Sequence, residues 1–337
     1  MVFPSPNTPL QVATAGEALM DMIQEPDGRL RPCNGGAVYN LTRALGHQGV
    51  GTLYLNPLSR DGFGRGMANA IHDASVTLAR ETPVHEPTSL AVVGVDADGK
   101  ASYSFYREGV ADRQVTALEM NAQCAAQPSM KIAATGCLAL VADDAHKYLP
   151  WLQAQRAAGK LVVVDANLRP AIVPDMAAYQ TSVMNALGEA HIVKVSDDDL
   201  VTLGFGEGEP IEAARALLQK TPALWLALTL GAKGAVLMQR DGPAWHAIET
   251  TPVKVADTVG AGDCFLAGML VALLERPAMQ AANNASDLRL DAGDMEHILC
   301  HAVASASLCV QEVGCVPPDL EKVRARVRLA KAKFTTL

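Results

Sequence analysis

The chain has 337 residues, a formal net charge of −8 and a hydrophobic fraction of 49%. That length allows one large α/β domain or two small ones, each with a substantial core. The acidic balance argues against a general nucleic-acid binder, because such proteins are usually basic and neutralise phosphates. The N-terminal stretch lacks the pattern of a signal peptide, and the longest uncharged apolar stretch is about half of a membrane span. We therefore expect a cytoplasmic protein without nucleic-acid or membrane partners.

Short β-rich runs alternate with longer helical patterns along the chain, which favours a parallel sheet covered by helices. The expected buried strands are rich in β-branched residues or Leu and are bounded by Gly, Pro, Asp or Asn. They are Gln11–Ala15, Val50–Leu55, Leu161–Asp165, His191–Val195 and Leu224–Leu230.

Apolar spacing indicates a helix in each half of the chain. A stripe from Val38 to Leu45 predicts a helix that stops at Gly46. A second stripe, from Leu266 to Leu273, predicts a helix that ends before Pro277.

One region breaks the alternation of strands and helices. Ser89–Asp96 and Lys100–Arg107 are strand-like and are joined by an Asp-Ala-Asp-Gly turn, which predicts a β-hairpin. Such a hairpin within an α/β chain is expected to protrude as an edge element or lid. The segment Arg276–Asp291 is poor in large apolar residues and is expected to be a surface loop. The sequence has no internal repeat and no linker, so we expect one principal domain.

The most informative stretch is Asp257–Asp263, which precedes an apolar helix. Gly260, Ala261 and Gly262 allow a tight turn whose N–H groups point outward, and the helix adds its own unpaired N–H groups and the positive end of its dipole. Together these predict an anion-binding site for phosphate. A carboxylate beside it, Asp263, would repel phosphate unless it has a task, such as accepting a proton from an attacking nucleophile.

Taken alone, this short motif also fits an ordinary loop followed by an Asp that favours the helix dipole. The whole stretch, however, resembles the C-terminal signature of the PfkB family of sugar kinases, which have the ribokinase-like fold. Further segments resemble family motifs in the same order along the chain, over residues 10–320: Gly16–Asp21, Asn34–Asn40, Ser59–Gly64, Thr229–Ala235 and Val313–Pro318. Three others resemble bacterial fructokinases: Phe105–Asp112, Asp165–Pro170 and Lys194–Leu200.

The resemblance implies a three-layer α/β/α domain with a mainly parallel central sheet and a small β-sheet lid. It implies a single kinase domain over residues 1–337, with the lid contributed by about 18–33 and 88–112. Lids of this family often form a dimer interface, so a homodimer through the β lid is expected.

The resemblance also implies a sugar site. The carboxyl ends of parallel strands host ligands, and carboxylates and amides recognise paired hydroxyl groups. The residues expected to contact the sugar are Asp21, Gly35, Gly36, Asn40, Arg107, Asp165, Asn167 and Arg169.

A nucleotide site is implied beside it, with ATP as donor and Mg²⁺ as cofactor. Its expected residues are Lys194, Ser196, Thr229, Gly231, Gly234 and Gly262. Asp199 is expected to organise Mg²⁺ through water; it stands where the family usually has Glu, and it is one methylene shorter. Asp257 and the carbonyl of Val259 resemble the family's monovalent-cation site, with K⁺ as the candidate ion and the 307–314 segment completing it.

These observations predict an ATP-dependent kinase that phosphorylates a primary hydroxyl of a hexose, with fructose as the first choice. Asp263 would be the general base, and the backbone of Gly260, Ala261 and Gly262 would stabilise the transferring phosphoryl group. 2-Keto-3-deoxygluconate kinase, ribokinase and nucleoside kinase remain alternatives. An acidic substrate would call for a positive cluster, which Arg107 and Arg169 could provide. A sugar-binding regulatory relative is the non-enzyme alternative.

The seven cysteines have no CxxC spacing, which is typical of reduced thiols rather than a disulfide framework. The eight histidines are scattered without a metal-binding spacing, so we expect no structural zinc.

Overall fold

The computed structural model describes residues 8–25, 27–95, 101–329 and 332–337. Its strands, in chain order, are β1 (Val12–Thr14), β2 (Leu19–Gln24), β3 (Leu30–Gly35), β4 (Thr52–Tyr54), β5 (Thr77–Leu78), β6 (Ser89–Val95), β7 (Ala101–Tyr106), β8 (Ile132–Gly136), β9 (Leu161–Asp165), β10 (Ile192–Ser196), β11 (Trp225–Thr229), β12 (Ala235–Gln239), β13 (Ala244–Ile248) and β14 (Lys333–Thr336). The five strands expected from the sequence are confirmed, to within two residues at each end.

The helices, also in chain order, are α1 (Ala37–His47), α2 (Gly62–Asp73), α3 (Ala117–Ala125), α4 (Ala145–Ala157), α5 (Met176–Leu187), α6 (Asp197–Thr202), α7 (Pro210–Lys220), α8 (Ala261–Leu274), α9 (Pro277–Ala281), α10 (Ala292–Cys309) and α11 (Leu320–Leu329). None of the helices in the described ranges is long and apolar enough to cross a membrane.

A large central sheet has the strand order β14-β13-β12-β11-β10-β9-β8-β1-β4-β5. The seven neighbouring strands β11, β10, β9, β8, β1, β4 and β5 pair in parallel. Strands β12, β13 and β14 extend the sheet in antiparallel pairs from β11. This arrangement confirms the expected mainly parallel α/β fold.

Two apolar clusters cover the two faces of the large sheet, because successive strand residues point to opposite sides. In β9, Val162 and Val164 pack with the residues of α4 and α5, including Trp151. Leu161 and Val163 pack on the other face with α8 and α10. Helices therefore cover both faces, as a three-layer fold requires.

A separate sheet with the order β3-β2-β6-β7 stands beside the large one. Its central pair, β2 and β6, is parallel, and the outer pairs are antiparallel. The predicted hairpin is present as β6 and β7; its turn, at 96–99, lies outside the described residues.

One local prediction was confirmed to within one residue, and another was wrong. Helix α1 ends at His47, one residue after the predicted stop at Gly46; a Cβ at Gly46 would lie 2.2 Å from the Ala74 carbonyl oxygen. The expected surface loop 276–291 instead contains α9 and a short 3-10 turn, because Met279 and Leu288 are buried and anchor it to the core.

Candidate active site

A cavity of about 1000 Å³ opens at the carboxyl ends of the parallel strands. Its lining comes from the segment after β9, the ends of β10 and β11, the N-terminus of α8, and β2 and β7 of the small sheet. The cavity therefore lies where an open α/β sheet is expected to bind ligands.

The N-terminus of α8 forms a tight turn on this cavity. Gly260 has φ 77°, a left-handed conformation that favours glycine, and a Cβ there would lie 2.2 Å from Cys315 Sγ. In the described part of the chain, the N–H groups of Gly260 and Gly262 donate to no backbone acceptor. The N–H of Ala261 differs from the prediction, because it donates to the Thr258 carbonyl at 3.3 Å. Two of the three expected donors thus remain available to an anion.

Asp263 lies in the first turn of α8, lines the cavity and is only 6% exposed. Burial and the nearby charge of Asp165 raise the pKa of its carboxyl to about 7, although a hydrogen bond from Asn40 and the charge of Lys194 oppose this shift. The carboxyl therefore holds a proton to a higher pH than an ordinary Asp does.

Asn40 joins Asp263 to helix α1. Its Nδ2 donates to Asp263 Oδ2 at 3.0 Å. Gly36, with φ 101°, directly precedes this helix, and a Cβ there would lie 2.6 Å from the Glu17 carbonyl oxygen. Asn40 and Gly36 both line the cavity.

The small sheet contributes Asp21 from β2. Burial raises the pKa of Asp21 to about 6, and the charge of Arg169 opposes the shift. Gly35 does not line the cavity; a Cβ on Gly35 would lie 2.1 Å from Asp21 Oδ2, so this glycine leaves room for the carboxylate.

Glu17 is a cavity residue that the sequence analysis did not assign. Its Oε1 accepts the N–H of Ala37 at 2.8 Å, at the start of α1. Its Oε2 is buried and has no hydrogen-bond partner among the described residues. Burial raises the pKa of this carboxyl. The signal was its place within the Gly16–Asp21 segment, next to the assigned aspartate.

Asp165 and Lys194 form a buried ion pair at the ends of β9 and β10. The Lys194 Nζ lies 2.9 and 2.8 Å from the two carboxylate oxygens of Asp165. Burial alone would lower the pKa of Lys194, but the charges of Asp165 and Asp199 raise it. Lys194 lines the cavity and Asp165 lies behind it, so the structure does not bring Asp165 into the sugar site.

Backbone N–H groups hold the carboxylate of Asp199 in place. Its Oδ1 accepts the N–H of Leu168 at 2.7 Å, and its Oδ2 accepts the N–H of Ser196 at 2.8 Å. The Ser196 hydroxyl in turn accepts the N–H of Asp199 at 3.1 Å, which completes a capping box at the start of α6. Asn167, just before Leu168, lines the cavity with φ 37°.

Three predicted nucleotide residues line the cavity at the end of β11 and just after it: Thr229, Gly231 and Gly234. Gly231 has φ 55° and Gly234 has φ 86°. A Cβ on Gly234 would lie 2.1 Å from the Ala247 carbonyl oxygen of β13, so the backbone there passes too close for a side chain.

The two predicted sugar-contacting arginines differ in their position. Arg169 is exposed and lines the cavity. Arg107 does not line it: its Nη2 lies 3.6 Å from Asp112 Oδ2, and its Nη1 donates to the Leu138 carbonyl at 3.4 Å. The charge of the buried Asp112 holds Arg107 behind the cavity wall, so the two arginines do not form one cluster.

The predicted cation residues lie in a loop that meets the end of α10. Asp257 Oδ1 accepts the N–H of Val259 at 3.1 Å, and its Oδ2 accepts the N–H of Gly314 at 2.9 Å. The Val310 carbonyl accepts the N–H of Ala256 at 2.8 Å. The 307–314 segment therefore contacts this loop.

Comparisons with known proteins agree with this geometry. Residues 10–322 match the pfkB family carbohydrate kinases. The chain is 28% identical over 269 residues to a fructokinase of Rhizobium leguminosarum bv. trifolii, covering 78% of this chain and 79% of the relative. It is 30% identical over 284 residues to fructokinase-1 of Zea mays, covering 79% and 84%.

A solved structure with a similar fold is a fructokinase from Xylella fastidiosa with bound ATP. It has a TM-score of 0.79 and 25% identity, and the match covers 95% of this chain and 98% of the other. Because the family match spans nearly the whole chain, the protein belongs to the pfkB family of carbohydrate kinases.

Proposed function

We propose that this carbohydrate kinase transfers the terminal phosphoryl group of ATP to a primary hydroxyl of fructose. The observation that carries the proposal is Asp263: a buried carboxyl, with its pKa raised to about 7, on a cavity that both sheets line. It lies beside two N–H groups that donate to no backbone acceptor among the described residues. A base next to an anion-binding turn is what phosphoryl transfer to an alcohol requires. The fructokinase relatives and the ATP-bound Xylella fastidiosa structure support the sugar and the donor.

In the proposed reaction, ionised Asp263 accepts the proton of the sugar hydroxyl. The hydroxyl oxygen forms a bond to the terminal phosphorus while the bond from that phosphorus to the bridging oxygen breaks, and ADP leaves. The N–H groups of Gly260 and Gly262 stabilise the charge on the transferring group. Asn40 keeps the carboxyl in place through its 3.0 Å hydrogen bond.

The small sheet would bring the sugar to this base. Asp21 and Asn40 both line the cavity and offer acceptors and donors for hydroxyl groups. Closing the small sheet over the sugar would exclude water, which otherwise competes for the phosphoryl group.

The residues around α6 fit Mg²⁺, because Asp197, Asp198 and Asp199 all line the cavity and present the oxygen ligands that this ion prefers. Both oxygens of Asp199 accept backbone N–H groups, and each retains a lone pair for a coordinated water. When bound, Mg²⁺ neutralises charge on the phosphate oxygens. The loop of Asp257 and the Val259 carbonyl, with the 307–314 segment, likewise offers the oxygen ligands that suit K⁺.

The position of Arg107 favours a neutral sugar over a sugar acid. A carboxylate substrate such as 2-keto-3-deoxygluconate would need a positive cluster, and only Arg169 of the expected pair lines the cavity. Arg107 is neutralised by Asp112 behind the wall.

The test is ADP release with MgATP and a panel of fructose, ribose and 2-keto-3-deoxygluconate. We expect the highest kcat/KM with fructose. Asp263→Asn should lower kcat by about 10²- to 10⁴-fold, because the base is lost. Asp143→Asn, an exposed aspartate, is the matched control and should leave kcat unchanged.

Each other outcome has a clear meaning. Turnover confined to the sugar acid would overturn the fructose assignment, and undiminished kcat in Asp263→Asn would overturn the base. Sugar binding by calorimetry with no turnover on any sugar would support a regulatory relative instead.

A further inference from the structure

A cluster of three cysteines lies directly behind the anion-binding turn. The Sγ atoms of Cys264, Cys309 and Cys315 all lie within 4.8 Å of one another. Their exposed fractions are 0%, 0% and 8%. They come from the first turns of α8, the end of α10 and the loop after it. Because they come from separate segments of the chain, no metal-binding spacing in the sequence predicted this cluster.

The cluster has the composition of a soft-metal site. Three thiolates bound to one ion at about 2.3 Å place their sulfurs roughly 4 Å apart, so the three side chains need to move by only about 1 Å or less. Among the described residues no His or carboxylate joins the group. Structural Zn²⁺ takes four ligands, whereas soft thiolates alone select ions such as Cu(I).

The surroundings can balance the negative charge that metal thiolates carry. Cys264 lies close to the positive N-terminal end of α8. The backbone N–H of Val316 is directed at the Cys309 sulfur. Cys315 lies beside Gly260 and keeps an exposed fraction of 8%, which gives an ion a route of entry.

We propose that Cys264, Cys309 and Cys315 form a three-sulfur site that binds one soft monovalent metal ion, Cu(I). Binding replaces thiol protons, which pass to the buffer, and no electron is transferred. The proposal does not depend on which sugar the kinase phosphorylates.

Metal binding here would act on the catalytic turn. A Cβ on Gly260 would lie only 2.2 Å from Cys315 Sγ, so this sulfur touches the turn that binds phosphate. Cys309 Sγ lies 3.7 Å from the Val259 carbonyl oxygen, one of the expected cation ligands. Pulling the three sulfurs together would move both groups, so Cu(I) should inhibit the kinase.

The experiment titrates fully reduced protein with Cu(I) under argon, in competition with bicinchoninate, whose Cu(I) complex absorbs visible light. We expect one Cu(I) per chain, an ultraviolet thiolate-to-copper absorption band and a raised Tm. Cys309→Ser should weaken Cu(I) binding by at least about 10- to 100-fold, since one of three ligands is lost. Cys300→Ser, which removes a half-buried thiol from the same helix, is the control and should bind as the wild type does.

Cu(I) binding that is unchanged in Cys309→Ser, or lost in Cys300→Ser, would overturn the proposal. So would a disulfide among the three cysteines, detected by mass spectrometry after the anaerobic titration, in place of bound copper. If circular dichroism shows that Cys309→Ser is unfolded, Cys315→Ser and Cys309→Ala are titrated instead and judged in the same way. In the folded variants Cu(I) should also fail to inhibit turnover at concentrations that inhibit the wild type.

Discussion

The ionisation of Asp263 should govern the pH dependence of turnover. Burial raises the pKa of this carboxyl to about 7, and only the ionised form can accept a proton. We therefore expect kcat/KM to rise with pH up to an apparent pKa near 7 and then to level off. A pH–rate profile with saturating MgATP measures this, and an acidic limb near the ordinary pKa of Asp would contradict it.

The same carboxyl affects stability in the opposite direction. Between its ordinary value of 3.8 and about 7, the folded protein holds a proton that the unfolded chain has lost. The contribution of Asp263 to the free energy of unfolding therefore falls as the pH rises through this window. Urea unfolding at several pH values should show a weaker pH dependence in Asp263→Asn than in the wild type.

Gly260 should tolerate no side chain. Its φ of 77° and the 2.2 Å approach to Cys315 Sγ both oppose a Cβ. We expect Gly260→Ala to lose about 1–3 kcal/mol of stability and at least tenfold in kcat. Gly62→Ala, at the start of α2, is the control: a Cβ there meets nothing within 4 Å, so stability should be equal or higher. Equal Tm values for the two variants would contradict the argument.

At the scale of elements, Asp199 ties the end of β9 to α6. Its two oxygens accept the N–H groups of Leu168 and Ser196. In Asp199→Asn one of these N–H groups faces the NH₂ group of the amide instead of an acceptor. We therefore expect the free energy of unfolding, measured with urea, to fall by about 1–3 kcal/mol. Asp198→Asn, exposed in the same helix, should change stability by less than about 1 kcal/mol. Equal losses would show that the capping box does not stabilise this junction.

The sequence predicted those strands and helices whose own residues form a clear apolar pattern. The strand β9 is a continuous apolar run because helices cover both its faces, and its bounds were predicted correctly. The strand β14, with the sequence KFTT, was missed because it is a short edge strand whose apolar content is low. The helix α9 was missed because a single Met279 anchors it.

The candidate site divides in the same way. The turn at Gly260 and the placement of Asp263 follow from a contiguous motif. Arg107 lies outside the cavity lining because it pairs with the buried Asp112. The cysteine cluster forms because three segments that are distant in the sequence meet in the fold. Such contacts across the fold leave no local pattern for sequence analysis to read.

At the scale of the whole molecule, the small sheet is expected to join two copies of the chain. Leu30 lies opposite Gln24, and Tyr106 lies opposite Leu90, so their side chains share the face that points away from the Asp21 side. Leu30 is 44% exposed and Tyr106 is 61% exposed. The two residues lie on the opposite edge strands, β3 and β7, of the small sheet through which the family resemblance leads us to expect a second copy to pack.

We therefore expect a homodimer by light scattering after size-exclusion chromatography. The double substitution Leu30→Arg and Tyr106→Arg should give a monomer, because paired copies would face buried like charges. Arg substitution of the exposed Leu118 on α3, outside the small sheet, is the control. A dimer that persists in the first variant, or dissociates in the second, would contradict an interface at the lid.

The hydrogen bond from Asn40 to Asp263 spans 223 residues of chain. Its two residues lie on α1 and α8, which pack on the same face of the large sheet, so Asn40 meets Asp263 only after the intervening strands have been made and packed. Contacts between such distant segments form slowly. During synthesis, a nascent chain that already contains part of the proposed nucleotide site would still lack Asp263, the proposed proton acceptor, so the proposed transfer has to wait until residue 263 has been made and packed.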